Sequence, residues 1–119
     1  WLSNATSALD LTDQGIGNLD LSTISAVDSD AVQDLAEQID AAIATQRGSA
    51  PPEEATDANR LLVTALSTTS RGLRGVAAAV TSGDEAAFSQ STAAIGDGQT
   101  LLSQAQGEIT ELAAACPAG

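Results

Sequence analysis

From Phe88 onward every seventh residue falls on one line: Phe88, Ile95, Leu102, Ile109 and Cys116. A second row, Ser91, Gly98, Ala105 and Leu112, fills the other seam position of the same heptads. A repeat of this kind marks an amphipathic helix. It passes through Gly96-Asp97-Gly98 without losing phase. Those three residues read as a turn in isolation, yet the phase predicts one helix over 84–115. Each interior glycine costs that helix about 1 kcal/mol against alanine. Ser82 and Glu85 have capping-box spacing, Asp84 puts a charge at the positive helix end, and Pro117 marks the stop.

The preceding segments keep the same time. Leu62, Leu66, Thr69, Leu73, Val76 and Val80 alternate steps of four and three, after prolines and acids in "SAPPEEATD" suited to a helix start. "TSGD" (81–84) is then a tight turn, and two long helices joined so briefly lie antiparallel. Val32, Leu35, Ile39, Ala42 and Ile43 mark another amphipathic helix, capped by "DSD" and ended by Gly48. Leu2, Ala5, Leu9, Thr12, Ile16 and Leu19 mark the first, while residues 20–27 suit a loop, a short helix or an early start of the second helix. The expected fold is all-α: an antiparallel four-helix up-down-up-down bundle in a single domain, 1–119, with helices over about 2–18, 29–46, 52–81 and 84–115.

Composition narrows the chemistry. The chain has no His, so an imidazole base, a Ser-His-Asp relay and a Cys-His pair are all excluded. The Glu-x-x-His ligands of bundle di-iron sites are absent for the same reason. "RGLRG" (71–75) lacks the Lys and the strand of a phosphate loop. Nearly all the acids fall at helix starts or off the apolar seams, so no inward carboxylate pair is expected. The chain is read as non-enzymatic, with no cofactor.

Sixteen acids against Arg47, Arg60, Arg71 and Arg74 give a net charge of −12. That field repels nucleic acid and anionic lipid, and no apolar run approaches the length of a membrane span. Neither a nucleic-acid partner nor membrane insertion is expected. "DSDAVQD" opens like a calcium loop at Asp28 and Asp30, but Gln33 stands where the sharp-turn Gly belongs and no Glu closes the loop. Helix capping accounts for those acids, and no metal site is assigned.

"LAAAC", ending in Cys116, superficially matches a lipoprotein attachment box but lies at the wrong end of the chain, with Glu108 and Glu111 upstream. Cys116 occupies a seam position, so it reads as a buried thiol, or as half of a disulfide to a cysteine outside this sequence or to a second copy.

Two constellations are candidate sites. Arg60, Arg71 and Arg74 lie within about 60° of one another on their helix, nearly opposite its apolar seam. They form either a solvated face or a docking stripe for an acidic partner. The second candidate is a layer between the last two helices. Pairing them about the 81–84 turn sets Val80 on Phe88, Leu73 on Ile95 and Leu66 on Leu102. Thr69 then falls opposite Gly98, with Thr12 reaching the same level. This small, polar layer is either a close helix contact or a cavity for a small ligand bounded by Leu66, Leu73, Ile95 and Leu102.

The chain starts at Trp1 and contains no Met, which suits a processed or excised chain. Together with its Lys-free, Ser/Thr/Ala/Gln-rich texture, this leads us to expect an extracytoplasmic binding or sensor domain. The alternative is a structural or self-associating spacer of a larger surface protein. The partner classes in view are another protein, a small ligand, or a second copy of the chain.

Overall fold

A computed structural model describes residues 2–17, 29–48, 51 and 53–115 of the 119-residue chain. They form four α-helices: α1 (Leu2–Gly17), α2 (Ser29–Gly48), α3 (Thr56–Ser82) and α4 (Glu85–Ala115). A single 3₁₀ turn, Glu53–Ala55, leads into α3, and Thr56 donates from Oγ1 to Glu53 O at 3.0 Å. Leu19, residues 20–27, Asp28, Cys116 and Pro117 lie outside the described residues.

The helices form a bundle. Each packs on its sequence neighbours, and α1 also packs on α4 and more lightly on α3. Ile39, Leu62, Leu66, Leu73 and Ile95 are the largest apolar side chains sealed in the core. Burying each contributes about 1.5–3 kcal/mol relative to exposure. The helix α3 is central, and its burial pattern shows why. Leu62, Leu66, Thr69, Leu73 and Val76 form the expected seam; by helical spacing Ala58 and Ala65 are buried along one side of it and Ser70 and Ala77 along the other. Small residues on both margins let neighbouring helices approach closely.

The predicted passage of α4 through Gly96-Asp97-Gly98 is observed: the helix is continuous from Glu85 to Ala115. Its start differs in detail from the expected capping box. Ser82 is still the last residue of α3, and its Oγ donates to Ala79 O at 3.4 Å within that helix. The cap is Asp84, whose Oδ1 accepts from Ala87 N at 3.0 Å. Between them Gly83 takes φ 75°, the left-handed region that glycine enters without penalty. Its N–H and that of Asp84 both donate to Ala79 O, at 2.8 and 3.1 Å. One glycine thus ends α3 and one aspartate starts α4, so no longer connection is needed.

Candidate functional site

The layer at Thr69 and Gly98 is a helix–helix contact. A Cβ placed on Gly98 would stand 3.1 Å from both Thr69 N and Thr69 Cα and would collide with Thr69 Oγ1. All three of its nearest atoms belong to Thr69. The same closeness continues along the seam. A Cβ on Gly72 would meet Ile95 N at 3.0 Å and Ser91 O at 3.1 Å, and one on Gly75 would meet Ser91 Cβ at 3.0 Å. These backbones approach because the side chains that would hold them apart are missing.

The hydroxyls of Thr69 and Thr12 are also spent within their own helices. Thr69 Oγ1 donates to Ala65 O and Thr12 Oγ1 to Ala8 O, each at 2.8 Å. Both threonines are fully buried. A ligand pocket needs open volume and polar groups that converge on it. Between Thr69 and Gly98 there is neither. Of the two sequence readings, the close contact is the one the geometry matches. Leu66, Leu73, Ile95 and Leu102 are buried core residues.

The arginines share one exposed face of α3, but two of them already hold carboxylates. Arg60 lies 3.7 Å from Asp57 of its own helix, both side chains being well exposed, an arrangement worth little in water. Arg74 pairs with Asp40 of α2, and Ser70 Oγ donates to the other oxygen of that carboxylate at 2.7 Å. Burial alone would raise the Asp40 pKa. The hydrogen bonds from Ser70 and Arg74 and the guanidinium charge outweigh it, and the carboxyl sits below its ordinary range. This cluster ties α2 to α3. Only Arg71 of the stripe is exposed and, among the described residues, without an ion pair.

Two open features were not anticipated. The first is a valley of about 360 Å³ along α1 and α2, lined by Asn4, Ser7, Ala8 and Leu11 on one side and Gln38, Ala41, Ala42 and Thr45 on the other. None of these residues is charged. The second is a cleft of about 370 Å³ where the start of α3 meets the end of α4, walled by Glu54, Asp57, Glu108 and Glu111 over Ala58 and Leu112. Among the described residues no three acids or cysteines converge as a metal site. Asp30 is exposed in the first turn of α2.

One polar side chain is out of place. Gln46 is buried near the end of α2, and among the described residues neither Nε2 nor Oε1 has a hydrogen-bond partner. Its position could have been read from the sequence, since it lies three residues after Ile43 and seven after Ile39. The valley left no such trace, because periodicity reports only the inward face. No described helix is long and apolar enough to cross a membrane. Compared with models of known families, with curated proteins and with solved structures, the chain matches none.

Proposed function

We propose that the chain is a non-enzymatic, extracytoplasmic interaction domain that binds a partner protein through the valley between α1 and α2. The observation that carries this reading is the contrast between a closed interior and one uncharged, small-residue valley on an otherwise acidic molecule. Ala8, Leu11, Ala41 and Ala42 supply its apolar floor, and Asn4, Ser7, Gln38 and Thr45 supply uncharged polar groups at its margins. Association removes apolar floor from water while a polar rim fixes orientation. The extracytoplasmic placement rests on the Lys-free, Ser/Thr/Ala/Gln-rich composition.

An up-down-up-down arrangement of the helices belongs to the same reading. It is supported by the order of facing residues: Gly75 with Ser91, Gly72 with Ile95 and Thr69 with Gly98, so that α4 numbers rise as α3 numbers fall. Gly15 on Leu35, with residues 4–11 lining the valley opposite residues 38–45, supports an antiparallel pairing of α1 and α2 as well.

Site-directed photo-crosslinking in the organism that makes the protein tests the binding face. A photoreactive residue at Gln38, on the valley's margin, should give a discrete protein adduct, and one at Ala93, exposed on α4, should not. Equal labelling at the two positions, or none at Gln38, would reject the valley as the binding face.

A further inference from the structure

We infer that the occupant of the valley is a helix from a partner protein, carrying a row of small apolar side chains flanked by lysine or arginine. This rests on the interaction reading above and goes further, to the chemistry of the partner.

The shape comes first. Asn4 to Leu11 and Gln38 to Thr45 each span seven helical steps, about 10 Å or two turns. A furrow of that length between two helices receives three side chains of a third helix, at spacings of three and four residues. Ala8, Ala41 and Ala42 keep the floor shallow enough for a backbone to come close, and half-buried Leu11 gives the incoming row an apolar contact.

Charge then selects the partner. Asp30, Asp34 and Glu37 lead by helical spacing into Ala41 along the outer edge of α2, and all three are exposed. On α1, exposed Asp10 lies beside Leu11 and one turn beyond Ser7. Among the described residues none of these four carboxylates is ion-paired. The only cation on α1 or α2 is Arg47, beyond Thr45 at the opposite end of the valley. A helix lying on the floor therefore has carboxylates along its flanks, concentrated at the Leu11/Gln38 end. Basic flanks complement them. A second copy of this chain, itself at −12, would set acids against acids.

The test uses two synthetic helical peptides with the same Ala/Leu row, one flanked by lysines and one by glutamates. Titration into the whole labelled protein should show amide shifts over residues 4–11 and 38–45 with the lysine peptide alone. Filling the floor with Ala41→Gln should weaken that binding about tenfold, and neutralising the edge with Asp34→Asn and Glu37→Gln should weaken it about threefold to tenfold. Ala93→Gln on α4 should leave it unchanged. If the lysine peptide binds Ala41→Gln as well as wild type, the attraction is diffuse and the inference is wrong. Equal binding of the glutamate peptide overturns the basic partner, and failure of both peptides overturns the helical one. In either case a retained Gln38 crosslink leaves the interaction reading standing, and a lost crosslink removes both.

Discussion

The two helix pairs of this bundle use missing side chains in opposite ways. Along α3 and α4, glycine brings backbone against backbone: the atoms facing Gly98 and Gly72 include Thr69 N, Thr69 Cα, Ile95 N and Ser91 O. Along α1 and α2, the one tight glycine, Gly15, faces the methyl groups of Leu35, the far end of a flexible side chain. At Gly98 and Gly72 the first pair is closed partly by main-chain atoms, which cannot move aside as a side chain can. The second is closed on its inner side by a side chain that can, and its small outer residues leave a valley instead of a contact. Small residues therefore do not signal a pocket by themselves. What matters is whether the neighbouring backbone has come in to occupy the space.

That contrast can be broken first by alanine. Gly72→Ala should lose about 1–3 kcal/mol, because the new methyl meets main-chain atoms of α4. Gly15→Ala should change stability by less than about 1 kcal/mol, since Leu35 can rotate and the helix gains propensity. Urea unfolding followed by circular dichroism compares them, and similar losses in both would erase the distinction.

Gln46 should show the next effect. A buried amide with no partner is costly, and Gln46→Leu keeps roughly its volume while removing the unmet groups. A gain of about 1–3 kcal/mol is expected in the same unfolding assay. A loss would mean that the amide is stabilised in a way its burial does not account for.

A smaller gain is expected at Gly96. A Cβ there meets nothing, in contrast to Gly98 two residues later. Gly96→Ala should stabilise by about 0.5–1 kcal/mol through helix propensity alone. Thermal melts of the Gly96→Ala and Gly98→Ala variants, moving in opposite directions, would sharpen the comparison at a spacing of two residues.

The smallest effect concerns the α2–α3 link. Asp40 has a folded pKa held below the ordinary 3.8, so its contribution is complete above that value and is lost as pH falls below it. The stability difference between wild type and Asp40→Asn should therefore be constant near neutrality and shrink under pH 3.8. A difference that grows on acidification would contradict the pairing with Arg74 and Ser70.

Much of this architecture is legible in the sequence. The heptads through Gly96-Asp97-Gly98 placed α4 to within a residue at its start, because a core-facing period survives where turn propensity would end a helix. Counting about the 81–84 turn also brought Thr69 to Gly98. The sequence reading could not choose between contact and cavity, since an absent side chain reads alike whether space stays open or a backbone fills it. Helical angle groups Arg74 with Arg60 and Arg71, while its partner Asp40 lies 34 residues away on another helix. Such pairings depend on which helices adjoin. The valley was hidden for a related reason: Asn4, Ser7, Gln38 and Thr45 sit on outward positions, where polarity carries no periodic signal.

The most direct test of the closed interior is the thermal melt of Gly98→Leu, followed by circular dichroism at 222 nm. A leucine driven against the Thr69 backbone should lower Tm by roughly 5 °C or more, from about 1–3 kcal/mol of overpacking. A higher Tm with helicity retained would mean that the side chain had filled an empty space, and the interior would be a cavity after all.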